Sequence, residues 1–243
     1  MSKTGKMLTE DPYMLEQIRF AQVLASQDSP VLITGESGTG KEHFAEILHG
    51  DRHPTSSQEA TRGNNFVPIN VTTLQEDLFE SLLYGHKQGA FTGATRDTSG
   101  LVQLAAQGTL FLDEIGELKL TLQPKLLRFI QHKLFRKVGA AKLSTATCRI
   151  ICSTNRDLKE MVKSSEFRLD LYHRLTVFII RTTPLRERPN DLALYIHKIH
   201  DIEQKKAQDM ATKILKLTPL DGNYREVQGI MARYELLGEF IIY

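Results

Sequence analysis

Val31-Leu32-Ile33-Thr34-Gly35-Glu36-Ser37-Gly38-Thr39-Gly40-Lys41-Glu42 is the stretch on which the fold of this chain turns. Four β-prone residues run into glycines, and a helical segment from Glu42 to Leu48 leads out. Glycines between a strand and a helix let successive backbone N–H groups turn inward on one anion. The helix N-terminus adds the positive end of its dipole. Lys41 stands where an ammonium reaches the β- and γ-phosphates of a nucleotide. Gly35, Glu36, Ser37, Gly38, Thr39, Gly40 and Lys41 therefore read as a phosphate-binding loop. The strict motif closes on Ser or Thr, whose hydroxyl binds Mg2+; here Glu42 takes that place. The plain alternative, a tight turn capping a helix, is opposed by the strand–loop–helix context and by a second motif downstream.

That second motif is Gly108-Thr109-Leu110-Phe111-Leu112-Asp113-Glu114, an apolar run ending in two adjacent carboxylates. A buried parallel strand delivers its last residues to the ligand edge of a sheet. Asp113 there is expected to hold Mg2+ through water, and Glu114 to orient or deprotonate the attacking water. The alternative is a strand followed by a solvated acidic turn. Cys148 to Asn155 is a further strand ending in polar residues, placing Thr154 and Asn155 near a γ-phosphate if it neighbours the others. Phe66 to Asn70 is another strand, at an edge because Pro68 lacks an N–H.

Composition bounds these readings. The 243 residues are 41% hydrophobic and 25% charged, enough for one globular domain or two small ones. A net charge of +2 leaves no broad basic footprint for nucleic acid. Cys148 and Cys152 share one face of a strand and read as buried thiols rather than a disulfide or metal pair, which fits a reducing cytoplasm. No apolar run approaches a membrane span and no signal peptide is visible.

The rest of the chain arranges itself around the loop. A helix with Met14, Ile18, Ala21, Leu24 and Ala25 on one stripe occupies the first 30 residues and stops at Asp28-Ser29-Pro30. Asp51 to Asn65 is polar and reads as an exposed loop. Thr73 to Tyr84 reads as a helix with Leu74, Leu78 and Leu82 at spacing four, and Leu101 to Ala106 as another. Between them, Gly85 to Ala94 cannot hold a helix. It is either a glycine loop with one buried Phe91 or a loop presenting Phe91 and Thr92 to a partner. Thr121 is expected to cap a helix carrying Leu122, Leu126, Phe129 and Ile130, with Pro124 in its first turn. Val138-Gly139 marks a turn. Arg168 and Arg174 lie six apart, and local sequence pairs such surface arginines with acids such as Asp170. Val177 to Ile180 is the fifth strand. After a junction at Pro184–Pro189, Asn190 is expected to cap a helix with Leu192, Tyr195, Ile196, Ile199 and Ile202 inward. Its His197 and His200 read as exposed rather than as a metal pair. A last helix carries Val227, Ile230, Met231 and Tyr234. Arg225 in its first turn opposes the helix dipole, which hints at an anionic partner.

Taken together, these motifs resemble the AAA+ ATPase domain of bacterial enhancer-binding proteins, the NtrC-like activators of sigma-54 RNA polymerase. The resemblance covers nearly the whole chain. Its most specific part is Gly89-Ala90-Phe91-Thr92-Gly93-Ala94, the signature loop with which that family contacts sigma-54. Glu42 in place of the Walker Ser/Thr also matches the family's form. The resemblance implies that Asn70 switches the catalytic Glu114, that Thr154 and Asn155 act as sensor I, and that Gly222 to Arg225 is sensor II. It turns Arg168 and Arg174 into arginine fingers for a neighbouring subunit's ATP, against the local reading. The implied fold is α/β: a five-stranded parallel sheet flanked by helices over residues 1–188, then a small helical lid over 189–243. The lid stretch between Asp191 and Gly222 is short by about ten residues beside this pattern, and Leu220-Asp221 replaces an aromatic–proline pair. The implied function is Mg2+-dependent ATP hydrolysis in a ring, usually a hexamer, that remodels sigma-54 closed complexes. No regulatory domain or helix-turn-helix is visible. The rivals are another AAA+ remodelling machine and a nucleotide-dependent binding module with impaired turnover.

Overall fold

The computed structural model describes residues 7–50, 65–238 and 240. All but Asn65 of the expected polar loop lies outside them. In chain order the elements are α1 (Pro12–Leu24), β1 (Val31–Thr34), α2 (Lys41–His49), β2 (Phe66–Asn70), α3 (Phe79–Tyr84), β3 (Gly85–His86), β4 (Thr98–Ser99), α4 (Leu101–Leu104), β5 (Thr109–Asp113), α5 (Gln123–His132), β6 (Leu134–Phe135), β7 (Ser144–Thr145), β8 (Arg149–Thr154), α6 (Leu158–Lys163), α7 (Leu169–Leu175), β9 (Phe178–Arg181), α8 (Pro189–His200), α9 (Gln204–Leu217) and α10 (Asn223–Leu237).

Five strands form one parallel sheet in the order β2-β5-β8-β1-β9. β2 is an edge strand, as Pro68 requires, since proline has no N–H for a second neighbour. The central β5 and β8 are buried along nearly their whole length, which explains their unbroken apolar runs. Asn70 pairs with Asp113, and Leu112 with Cys152, so these strands end close to one another in register. β3 with β4, and β6 with β7, form small antiparallel ribbons.

By its contacts the chain divides into two compact units, one within residues 25–33 and 49–179, the other within 1–24, 34–48 and 180–243. The first is built on Leu110, Leu112, Ile150 and Cys152 of the sheet with Leu122, Leu126, Phe129 and Ile130 around α5. Each of these leucine, isoleucine and phenylalanine side chains contributes about 1.5–3 kcal/mol on burial. Cys148 and Cys152 are free and buried in this core, and burial pushes the Cys152 thiol up to about 12. The second unit has its own core, in which Leu192 and Ile196 of α8, Met210 and Ile214 of α9, and Val227 and Ile230 of α10 interlock.

Several local expectations are corrected. α1 is shorter than its stripe suggested and ends at Leu24. The helix expected from Thr73 is broken into 3-10 turns at Val71–Thr73 and Glu76–Leu78 before α3 begins. The Asn70 side chain caps the first turn, and Phe79 and Leu83 supply the buried face while Leu78 and Leu82 stay exposed. The Thr121 hydroxyl donates to Glu76 instead of capping α5. α8 starts at Pro189, whose fixed φ suits a first helical position, leaving Asn190 inside the first turn. His197 and His200 are half-buried and hydrogen-bonded to Ile202 O and Glu235.

Candidate active site

The phosphate-loop unit can be built from its backbone upward. Gly38 has φ +75°, a left-handed conformation that favours glycine, and an added Cβ would lie 2.4 Å from Gly222 O. That close approach lets the chain entering α10 lie on the loop, with Tyr224 N donating to Gly38 O at 3.2 Å. Within the loop, the Thr39 hydroxyl donates to Glu36 O at 2.8 Å and meets the Thr182 hydroxyl at 2.7 Å. Lys41 opens α2 and is buried, its Nζ donating to Gly35 O at 3.0 Å and Glu36 O at 3.1 Å. The ammonium is thus curled over the loop that bears it. Gly40 precedes it, and Glu42 is exposed in the first turn of α2.

Residues far along the chain lock this loop. Arg186 grips the Glu36 carboxylate through Nη1 at 2.7 Å and Nη2 at 2.5 Å. This bidentate pair, joined by a hydrogen bond from Asn223, holds Glu36 below the ordinary carboxylate range. Asn223 is fully buried at φ +50°, a conformation asparagine tolerates. Its Nδ2 also donates to Ser37 O at 3.0 Å, and its Oδ1 accepts from Leu185 N at 2.6 Å. Arg225 donates to the Ser37 hydroxyl at 2.8 Å. Sequence reading placed Asn223 and Arg225 in the implied sensor II motif, without the bonds Asn223 makes, and gave no role to Thr182 or Arg186.

The other unit holds the acids. Asp113 ends β5, and Ser153 of β8 donates its hydroxyl to one Asp113 oxygen. Glu114 follows in the left-handed region (φ +57°, ψ +47°), which turns its side chain out of the strand direction. Its carboxylate accepts from Asn155 N at 3.3 Å. The buried Thr154 hydroxyl accepts from Arg156 N at 3.0 Å. The end of β8 thus holds both acids, Ser153 reaching one and Asn155 the other. Ser153 was missed in the sequence because only the β5–β8 pairing brings it beside Asp113. Asn70 lies in register with Asp113, its Oδ1 accepting from Thr72 N and Oγ1 at 2.9 and 2.7 Å.

The remaining predicted residues stand on the surface of this unit. Arg168, at the N-cap position of α7, pairs with Asp170 through Nη2 at 2.8 Å and Nε at 3.0 Å. Arg174 is exposed in the last turn of the same helix. The glycine loop closes through Gly89 N to Ala94 O at 2.8 Å, and Lys87 and Asp97 pair at its neck. Phe91 is 38% exposed, with its ring edge-on to His86 at 5.0 Å, while Thr92 and Gly93 are exposed and Ala90 half-buried. Ala94 is buried and anchors the loop's end.

Asp113 suits a metal-bound water: its carboxylate ends a strand, partly open, with one oxygen held by Ser153. Among the described residues no group of three or more His, Cys, Asp or Glu lies together as a metal cage.

A family model, the sigma-54 interaction domain, matches residues 7–181. The chain is 39% identical to the formate hydrogenlyase transcriptional activator of Salmonella typhimurium (strain SL1344), covering 97% of this chain and 34% of that protein. It is 39% identical to the regulatory protein AtoC of Escherichia coli (strain K12), covering 94% of this chain and 50% of that one. The solved structure of NtrX from Brucella abortus in complex with ATP superposes with a TM-score of 0.79 at 26% identity, over 98% of this chain and 54% of that one. The chain therefore spans about a third to a half of the length of these relatives.

Proposed function

The chain belongs to the sigma-54 activator family, and from that premise we propose that it is an ATP-hydrolysing, ring-forming module that remodels sigma-54 RNA polymerase closed complexes. The observation that carries the proposal is the pair of carboxylates at the end of β5, each held by the end of β8, together with a phosphate loop whose lysine is already buried within it.

In this reading the loop from Gly35 to Glu42 cradles the phosphates with backbone N–H groups. Lys41 exchanges the carbonyls of Gly35 and Glu36 for phosphate oxygens. Asp113 holds the water shell of Mg2+, which when bound neutralises phosphate charge. Glu114 orients the attacking water, and Asn70 switches it in response to nucleotide. Thr154 and Asn155 sense the γ-phosphate, and Arg225 reports it to α10. Arg168 and Arg174 act on the neighbouring subunit's ATP, Arg168 exchanging Asp170 for phosphate. The loop from Gly89 to Ala94 contacts sigma-54. Residues 1–188 form the catalytic part and 189–243 the lid.

The test is phosphate release with Mg2+ and ATP. Glu114→Gln should bind ATP normally and lose turnover, because only the water-orienting group is changed. Lys41→Ala should lose binding itself. Full turnover in Glu114→Gln would remove Glu114 from the mechanism, and ATP binding without phosphate release in the unmodified chain would leave a binding module.

A further inference from the structure

We infer that Gln123 is a positioning residue for the arginine fingers, tying the segment that carries Arg168 to the turn that begins at Glu114. The inference rests on the finger reading proposed above and deepens it.

Gln123 opens α5 and is fully buried. A buried amide must find partners for its donors and its acceptor. All three bonds of this one go to backbone. Nε2 donates to Leu118 O at 3.0 Å and to Glu166 O at 3.1 Å, and Oε1 accepts from Arg168 N at 2.8 Å. Leu118 closes the 3-10 turn that Glu114 opens, with Glu117 N donating to Glu114 O at 2.8 Å. Glu166 and Arg168 bracket the buried Phe167 just before α7. One side chain therefore fixes the distance between the catalytic acid's turn and the start of the finger helix.

A second side chain makes the same connection from the surface. Arg156, two residues beyond Thr154, donates through Nη1 to Gly116 O at 3.3 Å and through Nη2 to Glu166 at 2.8 Å. The same turn and the same segment are bridged twice, by a buried neutral group and by a half-exposed charged one. A hydrophobic residue of Gln123's size would fill the space equally well. What it would lack is the directional link, and its absence would leave Arg168 N and two carbonyls without partners.

An arginine finger is worth about 10³–10⁵ in rate, and a displacement of about 1 Å in a catalytic group costs on the order of 10²-fold. Gln123→Met, which keeps the volume and removes the bonds, should lower kcat about 10–100-fold by that reasoning, with KM for ATP changed by less than about twofold. Its activity should recover on mixing with Glu114→Gln subunits, which supply intact fingers, and should not recover on mixing with Arg168→Ala, in rings shown to be mixed. A kcat unchanged in folded Gln123→Met overturns the inference, as does a parallel loss of melting temperature, ATP affinity and kcat. Failure of Glu114→Gln to rescue also overturns it. If Gln123→Met does not fold, Arg156→Gln decides: a lowered kcat at unchanged KM supports the link, and an unchanged kcat overturns it. Full activity in both Arg168→Ala and Arg174→Ala would instead bring down the finger reading itself, whatever Gln123 does.

Discussion

Glu36 shows how one side chain ties the loop to distant sequence. Its carboxylate accepts two bonds from Arg186 and one from Asn223, groups that follow it by 150 and 187 positions. The Arg186 hydrogen bonds hold its folded pKa below the ordinary glutamate value. The sign follows from linkage: a depressed carboxylate stabilises fully above its unfolded pKa and loses that contribution as pH falls through the folded one. Both partners are more than a third exposed, so solvent screening limits the pair to about 0.2–1 kcal/mol. The melting temperature of Glu36→Gln should therefore lie slightly below that of the unmodified chain near neutral pH. The gap should close as pH falls below about 4.5, the ordinary glutamate value. A gap independent of pH would show that the charge of Glu36 is not what matters.

At the scale of elements, the glycine loop is the segment proposed to contact sigma-54. Its neck is fastened by the Lys87–Asp97 pair and by Gln88 N donating to Asp97 at 2.8 Å. Its tip carries Phe91, which packs on His86 and is still 38% exposed. A buried phenylalanine costs about 3–5 kcal/mol on truncation to alanine, and one this open should cost much less. Aromatic anchors of this kind dominate interface energies. Phe91→Ala and Thr92→Ala should keep ATPase within a few-fold yet lose sigma-54 capture in the presence of ADP and aluminium fluoride. A large fall in melting temperature with joint loss of both activities would return Phe91 to the core.

For the whole molecule, the proposal that Arg168 and Arg174 act on a neighbouring subunit's ATP makes turnover depend on assembly. Phosphate release per subunit should rise with protein concentration and saturate when rings are complete, as sedimentation of the same samples would show. Turnover per subunit that stays constant from dilute monomer upward would contradict catalysis in trans. The comparison with longer relatives places this chain within a third to a half of such proteins. Its net charge of +2 offers little electrostatic attraction to DNA.

Local chemistry makes much of this fold legible in the sequence. β1 and β2 lie where their residues placed them, and β5, β8 and β9 fall within a residue or so of expectation. An apolar run bounded by glycine or polar residues has few other solutions. Residues 35–40 between β1 and α2, and Asp113 at the end of β5, stand in the strand-end positions that their sequence context indicated. The motif residues also carried the family, through the loop from Gly89 to Ala94. Helix starts were less legible: Thr121 and Asn190 have capping chemistry, yet Glu76 claims the first and Pro189 displaces the second. What only the tertiary structure decided is which groups hold the motif residues in place. Ser153, Arg186, Asn223 and Gln123 each reach at least one partner between 38 and 187 positions away. Their hydrogen bonds are short-ranged and directional, and local sequence has no period or spacing that encodes them. They exist because strand pairing and two separate cores bring distant backbone within about 3 Å.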